Sequence, residues 1–147
     1  MQNTEGIPGH PEIELALLRL YRLTENKHFL ELAQKFINER GKAPDFWARE
    51  AKKRSWSVWN SDPWGNDYRQ SAKPVREQTE AVGHAVRAVY LYTGMADLAA
   101  ETEDKELFAA CRRLWENIVH RKMYITGGIG STVQGEAFTV DYDLPPD

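Results

Sequence analysis

The chain has 147 residues, 41% of them hydrophobic and 28% charged, and a formal net charge of −3, the balance of one globular domain long enough to bury a core. Both charge signs are interspersed and no apolar run approaches the roughly 20 residues of a membrane-crossing helix, so neither nucleic acid nor a membrane is an expected partner. A lone cysteine, Cys111, excludes an intrachain disulfide, and the N-terminus has neither the basic start nor the apolar stretch of a secretory signal; both fit a cytoplasmic location.

The first helix is expected over residues 11–23. Ile13, Leu17 and Leu20, with Leu18 and Tyr21, recur at spacings of three and four, and Pro11 suits a first helical turn. A second is expected over residues 27–40, with Phe29, Leu32, Ala33, Phe36 and Ile37 as its stripe, Asn26 as N-cap and Gly41 as a left-handed C-cap. Residues 42–75 form a long polar connection carrying Trp56, Trp59 and Trp64, which either pack a loop or line a carbohydrate-like ligand. It admits a short helix over residues 46–53. A third main helix is expected over residues 77–101, with Gly94 as a weak point or kink, and a fourth over residues 105–121, capped by Asp104. Residues 123–126 read as a short strand or extended segment, followed by a loop holding Gly127, Gly128, Gly130 and Gly135 ahead of Glu136.

Residues 24–30 and 102–108 echo one another: Thr-Glu-Asn-Lys-His-Phe-Leu against Thr-Glu-Asp-Lys-Glu-Leu-Phe. Beyond them Ala33, Phe36 and Ile37 align with Cys111, Leu114 and Trp115. Each copy is a helix, a tight polar turn and a second helix. Two such hairpins bury too little alone, so the fold class is all-α, with the hairpins forming part of a larger stacked or ring-like body.

Glu136 is the first candidate for chemistry, because a carboxyl group in a glycine-rich loop can deliver a proton to a leaving oxygen; a solvated loop glutamate is the competing reading. His10 and His84 lie near helix starts and meet if the hairpins pack side by side, where they can hydrogen-bond sugar hydroxyls; capping or core roles compete. Glu80 and His84 have the spacing of a helical metal pair, but two ligands do not make a site, and no metal site is expected within the chain. Cys111 sits on the apolar stripe of its helix as a small hydrophobe, without a base to make it a nucleophile. Asp141 and Asp143 flank Tyr142 and fit either a cation or polyol site or a simple turn.

Three blocks, residues 9–14, 74–85 and 123–138, occur in an order that resembles glycoside hydrolase family 127, the β-L-arabinofuranosidase family. The resemblance implies an (α/α)6 barrel of six helical hairpins, of which residues 1–147 are an incomplete part of one catalytic domain. It implies a retaining, exo-acting hydrolase of terminal β-L-arabinofuranosides that uses a glutamate acid/base and a zinc-bound cysteine nucleophile. Carried over, the acid/base falls on Glu136 and two substrate-binding histidines on His10 and His84. Zinc is expected in the full-length enzyme, with its glutamate and cysteine ligands outside this chain. The partner is then a small carbohydrate, the fragment alone is expected to be inactive, and self-association through uncovered apolar faces is anticipated. The alternative is a non-catalytic, solenoid-like hairpin module that binds a partner.

Overall fold

The computed structural model describes residues 6–54 and 65–146. Trp56, Trp59 and Trp64 lie outside them. In chain order the elements are α1 (Ile13–Thr24), α2 (Lys27–Glu39), α3 (Phe46–Arg54), a single turn α4 (Gly65–Tyr68), a 3-10 turn (Val75–Glu77), α5 (Ala85–Thr102), α6 (Lys105–Asn117) and one π-helical turn (Ile118–Lys122).

The two hairpins are α1–α2 and α5–α6, and their turns are built alike. Glu25 and Glu103 both take the left-handed conformation, with φ of 55° and 54°. Asn26 then accepts from the His28 amide at 3.1 Å, and Asp104 from the Leu107 amide at 2.9 Å. These caps stop one helix and start the next within three residues. Leu17, Leu18, Ala33 and Ile37 of the first hairpin join Leu91, Met95, Leu98, Leu107 and Leu114 of the second in one core. Each large aliphatic side chain buried there contributes about 1.5–3 kcal/mol. Gly94 does not interrupt α5; it lets α1 approach so closely that a Cβ there would lie 3.2 Å from Glu14 Cβ.

Three expected boundaries move. Helix α1 starts two residues after Pro11, because Glu12 is non-helical and its amide donates to Glu14 Oε2 at 3.0 Å. Helix α5 starts at Ala85 rather than near residue 77. The intervening segment is tied elsewhere: the Ala81 amide donates to Asn117 Oδ1 at 2.9 Å, and Gly83 is left-handed at φ 71°. A Cβ at Gly83 would meet the Asp67 carbonyl oxygen at 2.1 Å, so only glycine fits. Of the expected strand or extended segment over residues 123–126, Met123 is extended but the chain turns over residues 124–127. Gly127 donates its amide to the Tyr124 carbonyl at 2.8 Å, and among the described residues the one β-type pairing is an isolated bridge between His84 and Ala137.

Candidate active site

Three separate pieces of chain meet at the N-terminal end of α5: the segment before α1, the α5 cap, and the glycine loop. A buried ion pair holds the first. Arg40 lies at the end of α2 with no exposed surface; its guanidinium faces Glu14 Oε1 at 3.4 Å and donates to the Pro8 carbonyl at 2.8 Å and the Arg69 carbonyl at 2.9 Å. Burial pushes the Arg40 pKa down, against the opposing pull of Glu14. The bond to Pro8 fixes the stretch carrying His10, whose Nδ1 donates to the Pro11 carbonyl at 3.2 Å. In the neutral ring, that bond leaves His10 Nε2 as an acceptor.

His84 is the N-cap of α5. Its Nδ1 accepts from the Arg87 amide at 3.1 Å, and its Nε2 lies 3.1 Å from Glu136 Oε2. Its side chain is only 12% exposed, edge-on to the rings of Tyr68 at 5.3 Å and His10 at 6.2 Å between centroids. Burial pushes its pKa below 6.5, outweighing the hydrogen bond to Glu136. Gln70 is buried behind it, donating to the carbonyls of Val82 and His84 at 3.0 and 3.2 Å.

The glycine loop lies against α5 through backbone and small side chains. The Ala85 amide donates to the Glu136 carbonyl and the Phe138 amide to the Gly83 carbonyl, both at 2.9 Å. Ala81, Ala85, Ala88, Ile118 and Phe138 form a second small core beneath the loop. Gly130 has φ 80°, and a Cβ there would sit 2.9 Å from Ala85 Cβ. Glu136 itself takes φ 45°, and its side chain is 74% exposed on the wall of a cleft of about 580 Å³ lined also by Leu15, Val86, Val89, Tyr90 and Ile129.

A charged clip fastens the far end of the loop. Lys122, the last residue of the π turn, is buried and donates to Glu80 Oε1 and the Thr139 carbonyl, both at 2.7 Å. Asp141 accepts from Asn117 at 2.9 Å and from Arg121 at 2.8 Å, and the Arg121 contact leads in holding its carboxyl below the usual range. Both Asp141 oxygens are therefore engaged, and with Tyr142 left-handed the 140–143 stretch is a turn.

Glu80 and His84 are not a helical pair: Glu80 lies before α5 and bonds Lys122. Among the described residues no three His, Cys, Asp or Glu side chains gather to hold a metal. Zinc thus finds no fitting donor set there, and burial pushes the Cys111 thiol up to about 11, far from a thiolate ligand or nucleophile. Sequence reasoning missed Glu14, Arg40, Gln70 and Lys122. Arg40 was within reach of it, since Ala33, Ile37 and Arg40 share one helical face.

The chain is similar to known glycoside hydrolases over almost its whole length. The model of the beta-L-arabinofuranosidase GH127 catalytic domain matches residues 1–147. A non-reducing end beta-L-arabinofuranosidase of Bifidobacterium longum subsp. longum is 48% identical over 149 residues, covering 97% of this chain and 22% of that protein. The crystal structure of a GH127 beta-L-arabinofuranosidase from Geobacillus stearothermophilus T6 superposes with a TM-score of 0.89 at 52% identity, over 95% of this chain and 22% of that one. A second GH127 beta-arabinofuranosidase structure gives 0.80 at 44% identity, over 98% of this chain and 20% of that one. The chain spans about a fifth of the length of these relatives. Its helical hairpins correspond to part of an (α/α)6 barrel, and the chain belongs to the GH127 beta-L-arabinofuranosidase family of glycoside hydrolases.

Proposed function

We propose that the intact protein is a retaining, exo-acting hydrolase of terminal β-L-arabinofuranosides in which Glu136 is the acid/base. The observation that carries this is the Glu136 carboxyl group, exposed on the cleft wall and hydrogen-bonded to the imidazole of His84. Family membership supplies the substrate class. Glu136 protonates the glycosidic oxygen as the bond to the anomeric carbon breaks, then takes a proton from the water that releases the sugar. His10, with Nε2 free to accept, is suited to a sugar hydroxyl, and His84 closes the inner side of the same site.

The nucleophile is expected to be a zinc-held cysteine outside these 147 residues, since bound zinc keeps a thiol deprotonated. Cys111 does not fill that role: its thiol is held protonated and lines a different groove. On this reading residues 1–147 belong to one barrel domain and contribute its acid/base and part of its sugar pocket.

The test is Glu136→Gln in the intact protein. Turnover of arabinofuranosides with sugar or alkyl leaving groups is expected to fall about 10²–10⁴-fold, and that of activated aryl glycosides much less. Equal losses on both substrate types would contradict a proton-donor role.

A further inference from the structure

The proposed reading gives Glu136 a proton to deliver but does not say which oxygen carries it or what sets its readiness. We propose that His84 is the positioning residue for Glu136: the first turn of α5 locks its ring as the Nε2–H tautomer, that N–H occupies Oε2, and the acidic proton is thereby confined to Oε1. This rests on Glu136 being the acid/base.

The lock follows from what each partner can do. A backbone N–H only donates, so the Arg87 amide at 3.1 Å from Nδ1 requires a lone pair there. The neutral ring must then carry its hydrogen on Nε2, where a carboxylate oxygen 3.1 Å away can only accept. Protonating Nδ1 would turn the α5 cap into a clash of two donors. The groups facing the ring come from every element around it. Arg87 on α5 and His10 before α1 oppose a positive charge, Glu136 favours one, and Tyr68 of α4 packs edge-on. Burial exceeds the help from Glu136, so the ring carries less positive charge than an ordinary imidazole at the same pH. The Gln70 amide holds the His84 carbonyl at 3.2 Å, which keeps the backbone of the cap in place.

Two consequences separate this role from simple sugar binding. Removing the Nε2–H donor takes away a hydrogen bond that the charged carboxylate accepts. The alkaline limb of the pH–rate profile, where the acid loses its proton, then moves to higher pH. A histidine that only binds sugar hydroxyls would raise KM and leave that limb where it was.

The first measurement does not depend on turnover. In the intact protein with ¹⁵N-labelled histidine, His84 should display a bare Nδ1 and a protonated Nε2 and remain mostly neutral at pH 6.5. Glu136→Gln should lower its titration midpoint further. An Nδ1–H tautomer, or a midpoint indifferent to Glu136→Gln, would overturn the proposal. The second is the pH profile of kcat in His84→Ala, expected to shift its alkaline limb upward, with His84→Gln, which retains an N–H donor, restoring it in part. An unmoved limb with a raised KM in both variants would also overturn it. A protein with the expected nitrogen signals but no arabinofuranoside turnover would count against the proposed function and support the His84–Glu136 pairing.

Discussion

The two hairpins share a turn and differ in what their second helices cover. At the aligned positions Ile37 of α2 is fully buried, whereas Trp115 of α6 is 66% exposed. Leu30 packs against the core, and its counterpart Phe108 faces out. Helix α2 buries Ala33 and Ile37; α6 buries Leu107, Ala110 and Leu114, a stripe rotated by about one residue. Phe108, Cys111 and Trp115 are left lining a groove of about 700 Å³ with Met123 and Ile129. The lesson is that the Thr-Glu-Asn/Asp turn fixes the hairpin but not its packing side. The first hairpin closes the core and anchors His10 through Arg40; the second carries the His84 cap at one end and an uncovered apolar face along its side.

The largest expected effect tests the closed side. Arg40→Met leaves Glu14 buried without its cation and should cost about 3–5 kcal/mol by chemical denaturation. A cost below about 1 kcal/mol would mean that the pair does not anchor the pre-α1 segment.

The aligned positions sharpen the contrast. Ile37→Ala should cost about 2–5 kcal/mol as a cavity mutation. Trp115→Ala should cost within about 0.5 kcal/mol, as a surface change. Equal costs would show that the face of α6 is covered in solution. If copies of the chain cover it, sedimentation velocity should reveal concentration-dependent association that Phe108→Lys with Trp115→Lys abolishes.

The smallest effect lies in the turns. Asn26→Ala and Asp104→Ala should each cost about 1 kcal/mol. Only the second cap titrates. Arg76 leads in holding the Asp104 carboxyl below its ordinary 3.8. A depressed carboxyl contributes stability that is complete above its unfolded value and is lost as pH falls through the folded one. Acid melts of Asp104→Asn should therefore lose part of the stability decline below pH 3.8, and Asn26→Asp should add one.

Much of this was legible in the sequence, for physical reasons. Caps and apolar period act over a few residues, so both hairpins, their turns and the N-cap roles of Asn26 and Asp104 are local readings. The start of α5 was not, because Val82 continues the period while the Asp67 carbonyl, sixteen residues away in sequence, fills the space that a Cβ at Gly83 would need. Placing His10 beside His84 required only that the hairpins pack side by side. The bond between His84 and Glu136 spans 52 residues and depends on the Ala85 amide receiving the loop, which no spacing announces. Lys122 was hidden for a similar reason: a basic residue at a helix end reads as solvated until the π turn ends with it buried against Glu80.

The central claim is that the second hairpin's open end presents Glu136 as the acid/base of a sugar hydrolase. The direct measurement is chemical rescue of Glu136→Ala in the intact protein with an activated aryl β-L-arabinofuranoside. Azide, which needs no general base, should restore turnover and yield the arabinofuranosyl azide with retained anomeric configuration. A variant as active as the wild type, or one that azide does not accelerate and that forms no such product, would contradict it.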